Sequence, residues 1–154
     1  MNDEAQRGFT LLEMVCVLAI VALLASVALP DLPRQTSRPR LQAYALQAVT
    51  LLKSDRAMSM RIGLRVDTQI DTARRLIRSG DGRAALRLPE DVGFQAVLPR
   101  SCQHRPALAA ISFLPDGLSC GGAITLSHAD LSLEIRVNWL TGRVDIVPRA
   151  LAHG

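Results

Sequence analysis

The sequence predicts an α+β protein that combines a long apolar N-terminal helix with antiparallel β-sheets packed on helical structure. Two observations lead to this prediction: an almost unbroken apolar run over 9–29, and a change from helical to alternating periodicity after Gly63. Hydrophobic residues make up 49% and charged residues 21% of the 154 residues, which excludes a disordered chain. This length is enough for one ordinary domain with an appendage.

The apolar run over 9–29 predicts a membrane-spanning helix. A helix of that length extends for about 31 Å, close to the hydrocarbon thickness of a bilayer, and it is longer than the apolar core of a typical signal peptide. Glu13 is the exception within it, because a carboxylate in a membrane helix costs about 2.5–3.5 kcal/mol on insertion scales. Glu13 therefore either reaches the headgroups from the helix end or pairs with a positive charge on a neighbour.

Residues 30–62 are predicted to form a linker and an amphipathic helix. Pro30, Pro33 and Pro39 make a straight continuous helix through 30–40 unfavourable. From about 40 to 61 apolar residues recur with helical spacing, which predicts one face directed to a core. They are Leu41, Ala45, Ala48, Val49 and Leu52. Gly63 is expected to end the helix.

Residues 63–154 are predicted to form a β-rich domain of short strands. Gly-containing turns such as Asp116-Gly117 and Thr141-Gly142 mark several reversals between them. The expected strands lie at 64–67, 75–78, 85–88, 93–98, 110–114, 123–126, 131–137 and 143–147. One helix followed by strands with short turns predicts antiparallel sheets that pack on that helix.

The segment Gly8-Phe9-Thr10-Leu11-Leu12-Glu13, followed by the apolar run, resembles the class III signal of type IV pilins and type II secretion pseudopilins. The resemblance implies a type IV pilin-like fold with 1–8 as a prepilin leader. It further implies that a prepilin peptidase cleaves between Gly8 and Phe9 and methylates the new N-terminus at Phe9. Glu13 would then pair with the terminal amine of a neighbouring subunit during assembly.

Three C-terminal segments add a second resemblance, to the H-type minor pseudopilin and its relative, the FimT-type minor pilin. They are Phe113-Leu114-Pro115-Asp116-Gly117, Gly122-Ala123-Ile124-Thr125-Leu126 and Thr141-Gly142-Arg143-Val144. The resemblance implies a structural subunit rather than an enzyme, near the tip of a pseudopilus that helps to export folded proteins across the outer membrane. The alternative it leaves open is a FimT-type minor pilin of type IV pili with a role in DNA uptake.

The resemblance also implies partners and a location. The partners are other minor and major pseudopilins, the prepilin peptidase and the inner membrane, and secreted cargo remains open as a contact. The chain would cross the inner membrane once, with its C-terminal domain in the periplasm. Counting positive charges near the span favours the opposite orientation, but a cleavage site must reach the cytoplasmic face to be used.

Because the periplasm is oxidising, the implied location favours a disulfide between Cys102 and Cys120. Two alternatives stay open: a pair of free thiols, and a zinc site that adds His104 and His128 to the two cysteines. The spacing matches no standard zinc motif, and we expect neither a metal nor a cofactor. Cys16 lies in the apolar run and is interpreted as a small apolar residue.

Two further patterns concern chemistry and charge. The segment 117–121 formally matches the G-x-S-x-G nucleophile elbow, with Asp130 and His153 as nominal partners, but its surroundings predict a hairpin rather than a strand leading into a helix. Between 61 and 87 lie seven arginines and three aspartates. We interpret them as a solvated sheet face; the alternative is a phosphate-binding surface. Because few aromatic residues are available for base stacking, we expect no nucleic acid partner.

Overall fold

The computed structural model describes residues 10–28 and 36–149. The chain divides into two compact units, Met1–Arg34 and Gln35–Gly154, and each is described by itself. The first unit contains helix α1 (Leu11–Ala28), which has the sequence LLEMVCVLAIVALLASVA. None of the helices formed by the described residues has both the length and the apolar character required of a membrane span. The predicted span, 9–29, includes Phe9 and Leu29, which lie outside those residues.

Helix α2 (Arg38–Ile62) opens the second unit. Ser37 has the extended backbone of an N-cap residue, and Pro39 falls in the first turn, where its missing N–H leaves no hydrogen bond unmade. The helix ends at Gly63, whose left-handed backbone (φ 66°) glycine adopts without steric cost. The predicted helix over 40–61 is therefore confirmed. It begins two residues earlier than predicted, because Pro39 fits into its first turn.

Within the described residues, ten strands follow α2: β1 (Val66–Asp71), β2 (Leu76–Arg78), β3 (Ala85–Arg87), β4 (Gly93–Val97), β5 (Ser101–Cys102), β6 (Arg105–Pro106), β7 (Ala110–Phe113), β8 (Gly122–His128), β9 (Leu131–Val137) and β10 (Val144–Arg149). They form two four-stranded sheets, β3-β2-β1-β7 and β10-β9-β8-β4, and the small hairpin β5-β6. Every pairing is antiparallel. The α+β prediction is thus confirmed.

The core of the second unit lies where α2 meets both large sheets. The predicted stripe of α2 is buried, with Leu41, Ala45, Ala48 and Leu52 fully covered. Alternating positions of the strands complete the core, since successive side chains of a strand point to opposite faces. The fully covered side chains from the sheets include Ile77, Ile111, Phe113, Ile124, Leu126 and Ile135.

A buried carboxylate also joins α2 to the first sheet. Asp55, on the core side of α2, is fully buried. It accepts hydrogen bonds from the Thr68 hydroxyl at 2.6 Å, from the Gly80 N–H at 2.9 Å and from the Ser79 hydroxyl. Three donors therefore replace the water that the carboxylate loses on burial.

The structure departs from the predicted strands in three main places. The strand predicted over 64–67 begins at Val66 and continues to Asp71. The strand predicted over 75–78 begins one residue later, because Arg75 has a left-handed backbone (φ 57°) and belongs to the turn. The hairpin β5-β6 was not predicted. Its turn residues Gln103 and His104 have φ values of 49° and 64°, yet neither is a glycine or an asparagine that would signal such a turn.

Candidate functional site

The predicted processing signal falls partly on described residues. Gly8 and Phe9 lie outside them, so the cleavage and methylation site stays a prediction. Thr10 directly precedes α1, and its hydroxyl oxygen accepts a hydrogen bond from the Glu13 N–H at 3.2 Å. The Thr10 carbonyl accepts from the N–H groups of Glu13 and Met14 at 3.0 and 3.2 Å. Thr10 therefore caps α1.

Glu13 lies three residues after the capping Thr10, the spacing of a capping box. An acidic residue in the first turn also faces the positive end of the helix dipole, which stabilises the helix start. The position of Glu13 therefore also suits the start of α1, and its contact with a neighbouring subunit stays a prediction. The Thr-x-x-Glu spacing is visible in the sequence, but sequence reasoning considered only the headgroups and a neighbouring subunit as partners of Glu13.

The surface of α1 is apolar and uncovered. Every described side chain from Thr10 to Leu24 is exposed, with Leu11 at 84% and Leu18 at 64%. Monomeric soluble proteins rarely expose a contiguous apolar surface of this kind, which marks a site for a membrane or for other proteins.

Within the second unit, Arg56 binds two turns to α2. Its Nε–H donates to the Gly117 carbonyl at 2.9 Å, and Nη2 donates to the Thr141 carbonyl at 3.1 Å. Gly142 lies between these contacts with φ at 63°, and a Cβ there would approach the Gly117 oxygen to 2.1 Å. The two turns pack so closely that this position requires glycine.

The two bonds from Arg56 to the Gly117 and Thr141 carbonyls form a clamp. The three segments of the second resemblance come together around this Arg56 clamp. Gly122 and Val144 both pair with Val137, from opposite sides of strand β9. Phe113 and Ile124 are fully buried. The residues of this resemblance therefore build the core and its adjoining turns. Sequence reasoning missed Arg56, because an arginine on an amphipathic helix is normally assigned to solvent.

Cys102 and Cys120 form a disulfide, with their Cα atoms 5.6 Å apart. The bridge links the hairpin β5-β6 to the segment that follows β7. It lies in a small apolar cluster with Ala107 and Leu114. The bonded sulfurs are not the thiolates that a zinc site needs. Over 10–28 and 36–149, no three His, Cys, Asp or Glu side chains are grouped to hold a metal.

The G-x-S-x-G match has the hairpin-like surroundings that the sequence predicts. Ser119 is buried; its hydroxyl donates to the Ser112 carbonyl at 2.9 Å and accepts from the Gly121 N–H at 3.1 Å. Asp130 forms an ion pair with Arg38, and His153 lies outside the described residues. The serine hydroxyl is therefore part of a turn, and the segment lacks the strand-to-helix geometry of a nucleophile elbow.

The arginines between 61 and 87 do not form a single solvated face. Five of the seven are exposed as expected: Arg61, Arg74, Arg78, Arg83 and Arg87. Arg65 is half-buried against Asp67 at 2.6 Å and the Ser112 hydroxyl at 2.9 Å. Arg75 is half-buried too, which makes the prediction of a solvated face wrong for these two residues.

The Asp91 carboxylate binds Thr36, the first described residue of the second unit. Thr36 is buried, and both its N–H and its hydroxyl donate to the Asp91 carboxylate, the hydroxyl at 3.0 Å. These bonds, the backbone one first, hold the pKa of Asp91 below its ordinary value. His128 Nδ1 lies 2.9 Å from the Asp91 carbonyl oxygen and 3.9 Å from its carboxylate.

The sequence is similar to a known motif and to several known proteins. Residues 5–29 match the prokaryotic N-terminal methylation motif. Over 138 residues the chain is 30% identical to the type II secretion system protein H of Xanthomonas campestris pv. campestris, covering 90% of this chain and 81% of that protein. Two fimbrial proteins of Pseudomonas aeruginosa are 28% identical over 97 residues, covering 57% of this chain and 62% of each of them.

Solved structures share the fold. The minor pseudopilin EpsH from the type II secretion system of Vibrio cholerae matches with a TM-score of 0.50 at 11% identity, covering 74% of this chain and 98% of that chain. The type IV minor pilin FimU of P. aeruginosa matches with a TM-score of 0.55 at 15% identity, covering 76% and 96%. The pilin-like fold is thus common to a secretion protein and a pilus protein and does not separate them.

The sequence relatives do separate them, since the secretion protein aligns with 90% of this chain and the fimbrial proteins align with 57% of it. The chain therefore belongs to the family of type II secretion system protein H.

Proposed function

We propose that this protein is a minor pseudopilin of a type II secretion system. It acts as a structural subunit, without catalysis, near the tip of a pseudopilus that helps to export folded proteins across the outer membrane. The observation that carries the proposal is the 30% identity to a type II secretion system protein H over most of both chains. The methylation motif at 5–29 supports processing as a subunit of this kind.

The proposal includes processing and membrane anchoring. A prepilin peptidase cleaves between Gly8 and Phe9 and methylates Phe9, and 9–29 anchors the chain in the inner membrane with the β-rich domain in the periplasm. The exposed apolar surface of α1 supports anchoring, because it needs a covering from outside the chain. The disulfide between Cys102 and Cys120 supports an oxidising compartment.

Intact-mass analysis of the membrane-extracted protein tests the processing step. The expected mass corresponds to loss of residues 1–8 and addition of one methyl group. A mature chain that still begins at Met1, or that is cut beyond Leu29, would refute the assignment.

The assembly role of Glu13 is tested by Glu13→Val beside Glu13→Gln. Removal of the carboxylate lowers the cost of insertion, so membrane insertion should be retained while incorporation into the pseudopilus is lost. The Gln variant keeps a polar group of the same shape at the helix start, so a shared defect would trace the loss to the charge. Normal incorporation of both variants would show that Glu13 has no assembly role.

A second candidate function is that of a FimT-type minor pilin in DNA uptake, favoured by the partial matches to fimbrial proteins. The full chain in detergent micelles, titrated with duplex DNA at physiological salt, separates the two candidates. Non-specific binding is typically no tighter than about 1 μM under these conditions. Clearly tighter binding that is lost in Arg74→Ala, Arg75→Ala and Arg78→Ala would favour the uptake pilin; we expect weak or absent binding.

A further inference from the structure

A cavity of about 610 Å³ lies between α2, the turn from β1 to β2, and the segment that follows β3. Its lining includes Tyr44, the half-buried Arg75 and the exposed Arg74 and Arg87, with Glu90 as the one acidic residue. Three positive charges and one negative charge leave this lining with a net charge of +2. The cavity therefore favours an anionic ligand.

The donors of this cavity are incompletely used within the described part of the chain. Arg75 Nε–H donates to the Pro89 carbonyl at 3.0 Å, but its Nη2 is buried without an acceptor. Arg74 approaches its carboxylate partner, Asp71, only to 3.8 Å. The Arg87 side chain has neither an ion pair nor a hydrogen bond among the described residues. A buried N–H without an acceptor is rare in native proteins. An oxyanion in the cavity would reach Nη2 only if the side chains that cover it move aside.

Arg75 is also fixed in place before any ligand arrives. Its backbone has the left-handed conformation that is uncommon for a residue with a side chain, and its carbonyl accepts the Leu88 N–H at 2.9 Å. The side chain is held at Nε by the Pro89 carbonyl. Neither Nη1 nor Nη2 has a hydrogen-bond partner among the described residues, so the guanidinium keeps donors for an anion while its Nε stays held.

The character of the walls selects the kind of anion. Guanidinium groups bind carboxylate and phosphate oxygens with similar geometry. Glu90 in the lining and the nearby Asp71 repel every anion, but they disfavour the successive charges of a nucleic acid backbone more than the single charge of a carboxylate. Leu88, Pro89 and Tyr44 provide apolar surface beside the guanidinium groups, which suits the methylene stem of an acidic side chain.

We propose that this cavity, lined by Arg74, Arg75, Arg87 and Tyr44, receives a Glu or Asp side chain from a neighbouring protein subunit of the pseudopilus. The inference rests on the proposed function for the identity of the neighbour, and on the cavity alone for the chemistry of the contact. It adds to the α1 surface a second contact point, within the β-rich domain.

The chemistry is tested by NMR titration of the full processed chain in detergent micelles. The probes are acetyl-Ala-Glu-Ala-amide, its neutral Gln counterpart, inorganic phosphate and duplex DNA. The Glu peptide should shift the Nε–H signals of Arg75 and Arg87 and bind about tenfold more weakly to Arg87→Gln. Arg83→Gln is the matched control, because Arg83 is exposed and lies outside the cavity lining. Arg75→Lys keeps the positive charge but removes the paired N–H groups with which a guanidinium binds both oxygens of a carboxylate. This variant should therefore also bind the Glu peptide more weakly.

Three results of the titration would overturn the proposal. They are absence of binding by the Glu peptide, phosphate binding at least as tight as that of the peptide, and DNA binding tighter than about 1 μM that is lost in Arg87→Gln. The second would indicate a free anion, and the third would indicate a nucleic acid surface.

The role in assembly is tested in cells whose own copy of this protein is replaced by the unsubstituted chain or by each variant. Arg87→Glu should lower incorporation into the pseudopilus about tenfold, whereas Arg83→Glu should incorporate like the unsubstituted chain. Equal incorporation of both variants would overturn the proposal. If the unsubstituted chain itself fails to support secretion, the proposed function fails instead, and the peptide titration still decides the chemistry of the cavity.

Discussion

The two helices of this protein are both rich in apolar residues, yet only α2 buries them against its own chain. The described side chains of α1 are exposed over 10–24, whereas Leu41 and Leu52 of α2 are fully covered by the sheets. The difference lies in pattern: α2 carries one apolar stripe, while α1 is apolar on all sides. A helix that is apolar on all sides and exposed needs a membrane or other subunits to cover its surface. Substitutions in α1 should therefore affect assembly, and those in the second unit stability.

The largest expected effect comes from paired truncations in the two helices. Leu52→Ala should lower the free energy of unfolding of the second unit by about 2–5 kcal/mol, because it leaves a cavity in a closed core. Leu18→Ala, in α1, should leave that free energy unchanged. Urea unfolding of the detergent-solubilised chain, followed by circular dichroism, measures both. Equal effects would show that the two helices do not differ in the way described.

The disulfide provides the next comparison. Replacing both Cys102 and Cys120 by serine should lower the stability of the second unit by about 3 kcal/mol, because the unfolded chain is no longer constrained by the bridge. Cys16→Ser in α1 serves as the control, since Cys16 is an exposed free thiol. A loss of stability in Cys16→Ser as large as in the double variant would contradict the assignment of the effect to the bridge.

A smaller effect is expected from exchanging the acidic residues of the two helices for amides. Asp55→Asn keeps the shape but turns an NH₂ group toward one of three donors, which should cost about 1–3 kcal/mol of unfolding free energy. Glu13→Gln should leave the unfolding of the second unit unchanged. Thermal denaturation of both variants provides the measurement. An unchanged melting temperature for Asp55→Asn would show that its hydrogen bonds contribute little to stability.

The smallest effect concerns Asp91 and depends on pH. Since the Thr36 N–H and hydroxyl lower the pKa of Asp91 in the folded state, its contribution to stability is present above the ordinary pKa of 3.8 and is lost as the pH falls through the folded value. The melting temperature of Asp91→Asn should lie below that of the unsubstituted chain at neutral pH, and the two should converge in acid. A constant difference across this pH range would rule out titration of Asp91 as its source.

Much of the fold follows from periodicity and turn residues. The α2 stripe gave the helix to within two residues at its start and one at its end, and the strand over 131–137 agrees with β9. These elements are decided locally, by 3.6-residue or alternating patterns and by residues such as Gly63. The left-handed turn residues Gln103 and His104 carry no such local signal, which is why β5-β6 was missed.

The candidate site residues also divide into those that a local sequence pattern identifies and those that depend on distant partners. The N-terminal signal is contiguous in sequence, so the sequence alone was enough to single out Glu13, whose assembly role stays a prediction. Asp55 and Arg56 depend on partners far along the chain: Thr68 and Ser79 for the carboxylate, and the Gly117 carbonyl for the guanidinium. Only tertiary packing brings these partners within reach, so a charged helix residue that binds inside the fold looks the same in sequence as one that faces solvent.

The Arg56 clamp has a consequence for how this protein tolerates changes in length. Because one guanidinium holds the carbonyls of both Gly117 and Thr141, lengthening either loop would move a carbonyl away from a donor that cannot follow both. An insertion in one loop would therefore be accommodated only together with a compensating change in the other. Loop grafting between relatives should succeed when the two loops are exchanged as a pair and fail when they are exchanged singly.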